Sequence, residues 1–212
     1  MRAPQTPSDD QLVAAALRQD EDAFGELVRR YQDYLFHLCW RVVGDRGDAQ
    51  DLTQETFLKL HRHLDRLRPG HTLGNWLYTV ALNHCRQRLR RRRLAAFFSL
   101  DARGPDGQRQ LPEPNEPGQD PLQAAVASQG RGRLDAAVQG LPADMREAFV
   151  LRYELDQDIP QVAEALGRSQ GATRVLLHRA RLRLRQVLVE SGLGGLTPPP
   201  AEDREENGEH EA

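Results

Sequence analysis

Apolar residues recur at spacings of three and four in two blocks of the chain, which predicts amphipathic helices. In the first block this stripe occupies residues 20–43, and Gly44 ends it. A second helix is predicted to begin at Asp48. A third is predicted over residues 75–93, after a break at residues 68–71, where the chain reads RPGH. Neither block contains alternating β-branched residues, so the pattern indicates an all-α protein.

The second block starts near Leu134 and predicts three further helices. Leu141-Pro142 opens the first, and Asp158 with Gln161 resembles a capping box for the next, which tolerates Pro160 in its first turn. That short helix is predicted to end at Leu166-Gly167. Ser169 can cap a last helix to about Val189, whose core face is Thr173, Leu177, Ala180, Leu184 and Val187. A helix, a glycine turn and a second helix are typical of the helix-turn-helix.

The rest of the chain has a different composition. Residues 101–130 hold four glycines and five prolines, which favours a flexible linker. Residues 191–212 are polar and acidic, which favours disorder. The expected organisation is therefore an N-terminal arm (1–19), a first helical domain (20–96), a flexible linker (97–130), a second helical domain (131–190) and a disordered acidic tail (191–212).

The net charge of −2 on 212 residues argues at first against a nucleic-acid partner. Its distribution reverses that reading, because residues 20–96 carry +4 and residues 131–190 carry +2. The acidic residues that cancel them lie mostly in the linker and the tail, which carry −3 and −5. The two helical blocks are therefore the basic parts of the chain.

Six arginines fall within eight residues of the third helix, at Arg86, Arg88 and 90–93. Like charges at this density destabilise a helix unless an anion is present, and a phosphate backbone supplies one. Trp76 and Tyr78 lie upstream, and aromatic side chains beside basic ones suit single-stranded nucleic acid.

The last helix carries a polar side as well. The start of such a helix reaches base edges in the major groove, so Gln170, Ala172 and Arg174 are candidates for reading sequence. Candidates for phosphate contact are Arg168, His178, Arg179 and Arg181. On the second helix, Asp51, Gln54, Glu55 and Lys59 form a polar face, which fits either a solvated surface or a docking surface.

The sequence offers no catalytic set and no phosphate-cradling glycine loop. Cys39 and Cys85 fit a reducing compartment, and their spacing with His37 and His84 does not match a zinc site. We find no secretory signal and no apolar run of membrane-spanning length. The expectation is a cytoplasmic protein that is not an enzyme and needs no cofactor or metal.

Four segments resemble the sigma-70 family of bacterial transcription initiation factors, in its extracytoplasmic-function (ECF) subfamily. DAFGELVRRYQDYLFHLCWRVVGD and DAQDLTQETFLKLHRHL are similar to the start and the polymerase-docking segment of sigma region 2. LGNWLYTVALNHCRQRLRRRR resembles its promoter-melting helix. LPADMREAFVLRYELDQDIPQVAEALGRSQGATRVLLHRARLRLRQVL resembles sigma region 4. The resemblance implies two small helical domains, a region 2 bundle and a region 4 helix-turn-helix, joined by a flexible linker.

The resemblance also implies partners and site residues. The partners are core RNA polymerase, through its β′ clamp helices and β flap, promoter DNA and an anti-sigma factor, with no membrane insertion. Docking falls to Asp48, Asp51, Gln54 and Glu55. Contact with the −10 element falls to His71, Thr72, Leu73, Trp76, Asn83, Arg86, Arg90, Arg91 and Arg93. Contact with the −35 element falls to Arg168, Ser169, Gln170, Ala172, Arg174, Val175, His178, Arg179 and Arg181.

Some positions depart from the family pattern, and two other functions stay open. Val175 and Leu176 stand where a small polar residue and a basic residue are usual, and Leu73 stands where an aromatic residue is frequent. One alternative is a sigma-like interaction protein that binds polymerase or an anti-sigma factor without reading DNA. The other is an ordinary helix-turn-helix regulator, which leaves the DLTQE motif unexplained.

Overall fold

Every regular element in the described parts of the chain is a helix. A computed structural model describes residues 7–67, 72–98 and 134–190. The first group of helices is α1 (Asp9–Ala16), α2 (Glu21–Val43), α3 (Arg46–His63) with a 3₁₀ turn (Leu64–Arg66), and α4 (Leu73–Phe98). The second group is a helical segment over residues 134–139, α5 (Ala143–Phe149) with a π-helical turn (Val150–Glu154), α6 (Ile159–Leu166) and α7 (Gln170–Glu190). The all-α fold class is confirmed.

The helix ends follow from local side-chain chemistry. The Asp20 carboxylate accepts from the amide of Ala23 at 3.1 Å, and Gly44 ends α2 in the left-handed conformation at φ 72°. At α6, Asp158 and Gln161 make both hydrogen bonds of a capping box, and Gly167 ends the helix at φ 66°. The Ser169 hydroxyl accepts from the amide of Ala172 at 3.2 Å and so caps α7. These predicted ends are confirmed, because caps are sequence-local.

Two predicted helices have wrong boundaries. The second helix begins at Arg46 and not at Asp48, because Asp45 is its N-cap and accepts from the Asp48 amide at 2.8 Å. The third helix begins at Leu73 and continues to Phe98, five residues beyond Arg93. It therefore takes up the first two positions of the predicted linker. Most of that linker, the break at residues 68–71 and the acidic tail lie outside the described residues.

Helix α1 is an element that the sequence analysis did not predict. Ser8 and Gln11 form a capping box at its start, and Leu12 is buried against the bundle. Asp9 accepts from Tyr31 and from Arg30, the latter at 3.0 Å. Part of the expected N-terminal arm is thus a helix fastened to α2.

The buried side chains form one connected core. In the N-terminal unit, residues 7–98, leucines of α2, α3 and α4 are fully buried, among them Leu27, Leu38, Leu52, Leu60 and Leu77. In the C-terminal unit, residues 134–190, Leu151, Leu184 and Leu188 play the same part. Helix α6 packs on α4, and α5 packs on α2, so the two units share a core in this arrangement.

Candidate functional site

Helix α3 turns a polar face to solvent. Asp51, Gln54, Glu55 and Leu58 are all exposed and follow one another at helical spacing, with Leu58 56 % exposed. The opposite side of α3 carries buried Leu52, Thr56 and Leu60. An exposed leucine beside three polar groups gives this face both an apolar contact and hydrogen-bonding capacity. We call Asp51, Gln54, Glu55 and Leu58 the α3 face.

Asp48 does not belong to that face. Its side chain is 13 % exposed and lies against α4, where it pairs with Arg88 and with Arg92, the latter at 2.5 Å. A carboxylate between two guanidinium groups ties α3 to α4. Of the four predicted docking residues, the structure brings Asp51, Gln54 and Glu55 together at the surface and turns Asp48 inward.

The arginines of α4 divide into two sets. Arg88 and Arg92 pair with Asp48, and Arg86 binds Glu147 of α5 with Nη2 to Oε2 at 2.5 Å. Arg90, Arg91 and Arg93 are exposed and form no ion pair within the described ranges. These acids explain why a helix with six arginines persists, since they relieve the repulsion that the sequence alone indicates. We call Arg90, Arg91 and Arg93 the α4 cationic set.

The start of α4 carries the remaining residues predicted for the −10 element. His71 lies outside the described residues, Thr72 is exposed, and Leu73 is buried as the first residue of the helix. Trp76 is half-buried against the core. Asn83 is exposed one turn before Arg86, whose Nη1 donates to its Oδ1 at 3.4 Å. Asn83 and the cationic set therefore share one accessible side of α4, whereas Leu73 belongs to the packing.

The helix-turn-helix exposes most of the residues predicted for the −35 element. Arg168, Ser169, Gln170, Ala172, Arg174, Val175, His178 and Arg179 are exposed, and Arg181 is partly buried. Arg168 lies 3.3 Å from Asp144, at the start of α5. The N-terminal half of α7 thus presents a polar and cationic side, as a recognition helix requires.

A groove of about 330 Å³ runs beside this side of α7. Its α7 wall includes Arg174, Val175 and His178, and its other wall is formed by Arg152, Tyr153 and Ile159. Sequence reasoning missed this second wall. Two of its residues, Arg152 and Tyr153, are placed by the π-helical turn, and the spacing of residues in the sequence does not reveal such a turn.

Val175 and Leu176 differ in what they do. Val175 is 50 % exposed on the groove side, whereas Leu176 is 6 % exposed and packs in the core. Leu176 is therefore a structural residue. Of the predicted core face, Thr173, Leu177, Ala180 and Leu184 are buried, whereas Val187 is only partly buried and Leu188 is buried beside it. Only Val175 changes the chemistry of the exposed side of α7.

A band of charged groups joins the two units. Arg41 binds Glu154 through several hydrogen bonds and Asp135 at 2.7 Å, and His37 lies 2.7 Å from Glu154. Further along, Arg86 binds Glu147, and Asn75 donates to Glu164. We call these pairs the seam. The sequence analysis did not find it, because nothing in a linear pattern pairs a charge in one block with a charge in the other.

Two carboxyl groups of the seam have shifted pKa values in opposite directions. Burial raises the pKa of Glu147, and its bond to Arg86 only partly offsets that effect. Burial also acts to raise the pKa of Glu154, but its hydrogen bonds from His37 and Arg41 outweigh burial and leave the pKa below its ordinary value. Glu154 is therefore a well-compensated anion, and Glu147 is a buried one held by a single arginine side chain.

The described residues contain no cluster of three or more His, Cys, Asp and Glu side chains that could hold a metal ion. Within the same ranges, no helix has both the length and the hydropathy that crossing a membrane requires. Cys39 and Cys85 are buried free thiols. Their hydrogen bond and their burial raise the pKa of Cys85 well above its ordinary value, so this thiol is unreactive.

Comparison with known proteins places both halves of the chain in one family. Residues 27–95 match sigma-70 region 2, and residues 131–184 match sigma-70 region 4. Among curated relatives, the ECF RNA polymerase sigma factor SigE of Mycolicibacterium smegmatis is 31 % identical, over 87 % of this chain and 70 % of its own length. RNA polymerase sigma factor CarQ of Myxococcus xanthus is 31 % identical, over 80 % of this chain and 91 % of its own. ECF sigma factor SigW of Bacillus subtilis is 27 % identical, over 80 % and 90 %.

Two solved structures share the fold. CnrH, in complex with the cytosolic domain of CnrY, superposes with a TM-score of 0.64 at 24 % identity and covers 86 % of this chain and 97 % of its own. The sigma factor RpoE of Bartonella quintana, in complex with the anti-sigma factor NepR, gives 0.63 at 24 % identity and covers 78 % and 96 %.

Proposed function

The chain belongs to the sigma-70 family of RNA polymerase sigma factors, in its ECF subfamily, and on that premise we propose which of its surfaces meets each partner. The protein acts in transcription initiation, and we propose that it does so without a catalytic activity of its own. We place region 2 at residues 20–96 and region 4 at residues 131–190, boundaries that enclose both matched segments. The protein works in the cytoplasm, where the polymerase is.

The α3 face is the polymerase-docking surface. Asp51, Gln54 and Glu55 offer carboxylate and amide groups to the β′ clamp helices, and Leu58 adds apolar area between them. Asp48 supports docking indirectly, because its ion pairs with Arg88 and Arg92 fix the orientation of α3 on α4. The exposure of this face in the folded chain supports the assignment.

The accessible side of α4 meets the −10 element. Arg90, Arg91 and Arg93 contact phosphates, and Asn83 offers an amide to a base or a sugar. His71 and Thr72 border the site where an unstacked base of the non-template strand is held. Trp76 supports that site from the core side. Arg86 joins this surface only when it leaves Glu147.

The helix-turn-helix reads the −35 element in the major groove and touches the β flap. Gln170, Ala172 and Arg174 reach base edges, Arg168, Ser169, His178, Arg179 and Arg181 contact phosphates, and Arg152 supports them across the groove. Val175 meets an apolar group there, for which a thymine methyl is the natural partner in the major groove.

Opening the promoter needs no ATP. Bases that leave the stack are held by the protein, and phosphate contacts add to the same free energy. An anti-sigma factor is a further partner, and the support for it is that CnrH and RpoE, which share this fold, were solved in complexes of that kind.

One observation carries the proposal: a single chain presents the exposed α3 face beside an accessible arginine side of α4, and a separate helix-turn-helix. The polymerase surface and two DNA surfaces together define a promoter-specificity factor. A polymerase-binding protein alone would not need the α4 cationic set, and a duplex-binding regulator alone would not need the α3 face.

Run-off transcription with purified core polymerase on a promoter library tests the function. We expect start sites that depend on this protein and carry two common elements upstream. Polymerase binding without any dependent start site would support an interaction protein instead. Duplex binding without polymerase binding would support a plain regulator.

A further inference from the structure

The charges of the seam are arranged in one direction. Its cationic groups come from the N-terminal unit, at Arg41 and Arg86, and its carboxylates come from the C-terminal unit, at Glu147 and Glu154, with Asp135 and Glu164 beside them. Of these cations, Arg86 belongs to the surface assigned to DNA, and the Glu147 carboxylate of the other unit occupies it. Carboxylate and phosphate oxygens compete for the same guanidinium geometry.

Glu147 is the clearest case. Its side chain is 2 % exposed, and both of its oxygens accept from Arg86, at 3.1 to 3.2 Å from Nε and 2.5 Å from Nη2. Arg86 lies one turn beyond Asn83 and one turn before Arg90 on the accessible side of α4. The carboxylate of Glu147 therefore occupies the guanidinium donors that Arg86 would otherwise offer to a phosphate.

The seam occupies part of one proposed partner surface, at Arg86, and leaves another open. The side chains of the α3 face stay exposed, and the packing of the C-terminal unit on the N-terminal unit is mainly against α2 and α4. The α4 side is different, because α6 packs on α4 and Glu147 neutralises Arg86. Polymerase docking is therefore compatible with the closed arrangement, whereas full engagement of α4 by DNA is not.

The contact between Glu147 and Arg86 is reversible, because the cost of desolvating the carboxylate nearly cancels its attraction to the arginine. Burying Glu147 as an anion costs solvation, and the attraction to Arg86 repays it only in part, so a buried pair of this kind adds little net stability. When the units separate, Glu147 returns to water and Arg86 becomes available. A polyanion can then replace the carboxylate at modest cost.

We propose that the C-terminal unit inhibits DNA binding by the free protein: Glu147 occupies Arg86 as an internal substitute for phosphate, and the bonds of Glu154 to Arg41 and His37 hold the two units together. This inference rests on the proposed role of α4 in −10 binding. It makes the seam a self-interaction surface that opens when the chain passes from free protein to promoter complex, while the α3 face is available throughout.

The test compares two double variants of equal charge change in the full-length chain. E147Q/E154Q removes the seam carboxylates, and E21Q/E26Q removes two carboxylates from α2 that lie outside the seam. Binding of each free protein to a fluorescein-labelled, random-sequence single-stranded oligonucleotide is measured by anisotropy. We expect the seam variant to bind at least about fivefold more tightly than the control variant, the lower end of typical couplings between sites.

A second readout separates opening from a general charge effect. Dyes on Q50C and Q186C report the distance between α3 and α7, and the natural cysteines are buried and unlabelled. The seam variant should show a longer distance than the control. If E147Q prevents folding, D135N/E154Q carries the same test, because both of these carboxylates are partly exposed.

Equal affinity and equal distance in the two variants would overturn the inference. Run-off transcription by the wild-type chain keeps this result distinct from a failure of the proposed function. Dependent start sites together with an inert seam overturn the inhibition alone, and oligonucleotide binding that neither R90Q nor R93Q weakens overturns the role of α4 on which it rests.

Discussion

At the scale of the residue, the type and spacing of residues in the sequence identified candidate functional residues, but they did not show in which direction each side chain points. Asp48 and Asp51 are both acidic and three positions apart, yet Asp48 is held by two arginines and Asp51 is exposed. Val175 and Leu176 are both apolar where polar residues were expected, yet only Val175 faces the groove. Direction depends on which neighbouring helix is packed on which side, and that is tertiary information.

The contrast between Asp48 and Asp51 gives a prediction. D48N should lower the free energy of unfolding by about 1–3 kcal/mol, because Arg88 and Arg92 lose their common charged acceptor. D51N should leave stability within about 0.5 kcal/mol and weaken polymerase binding instead. Urea unfolding and a core-polymerase pull-down measure the two effects. Equal loss of stability in both variants would contradict the assignment of Asp51 to the α3 face.

Val175 and Leu176 separate in the same way. L176A should cost about 2–5 kcal/mol of stability, because it leaves a cavity in the core of the C-terminal unit. V175A should cost almost no stability and should change the preferred −35 sequence. Thermal unfolding checks the first effect and selection of duplex sites the second. An unchanged site preference for V175A would remove Val175 from the recognition surface.

His84 predicts a pH dependence. Burial lowers its pKa below the ordinary value of 6.5, Lys59 adds to that shift, and nearby Glu55 only partly opposes it. The folded chain therefore binds this proton less well than the unfolded chain. The related stability is fully present above pH 6.5 and is lost as pH falls from there through the folded pKa.

Comparing the wild type with H84Q isolates the pH-dependent contribution of His84 to stability. The difference in Tm between the two proteins should shift in favour of H84Q as the pH falls from about 8 to about 5, and H178Q, at an exposed site of α7, is the matched control. A wild-type advantage that is the same at both pH values would show that His84 titrates alike in the folded and unfolded chains.

At the scale of the element, caps identified two helices correctly, but a cap was not sufficient, because capped α1 was missed and the start of capped α3 was misplaced. Asp20 with Gly44 and Asp158 with Gly167 mark their helices in the sequence, and the structure agrees. Helix α1 was missed because eight residues carry too short an apolar stripe to recognise, and its stability comes from packing on α2. The predicted range of α4 was two residues short at its start and five residues short at its end.

The division of the α4 arginines gives a prediction at this scale. Replacing Arg90, Arg91 and Arg93 by Gln should lower the salt slope of single-strand binding by about 2, since each phosphate contact contributes about 0.7. The change should not reduce helix content, because no ion pair within the described ranges depends on these residues. Replacing exposed Arg18, Arg62 and Arg66 instead is the matched control. A slope that falls equally in both variants would mean that only total charge matters.

At the scale of the whole molecule, the sequence divided the chain correctly into helical blocks and could not place one block against the other. With 60 charged residues, many pairings across a linker are equally compatible with the sequence. The structure selects the pairs of the seam and connects the two apolar cores behind them. This choice decides which of the arginines that we assign to DNA is occupied by a carboxylate of the same chain.

Arg41 tests whether this arrangement makes the chain one cooperative body. Its side chain is 5 % exposed and links Glu154 and Asp135 to α2. In a closed molecule, R41M leaves Glu154 buried beside only His37, and such an uncompensated charge costs about 3–5 kcal/mol. The chain can avoid that cost by separating its units, because Glu154 is then hydrated. The R41M substitution should therefore uncouple the unfolding of the two units without unfolding either unit by itself.

Calorimetry should show one unfolding transition for the wild type and for R29M, which lies outside the seam, and two for R41M. A single transition for R41M at an unchanged Tm would mean that the seam contributes nothing to the cohesion of the two units.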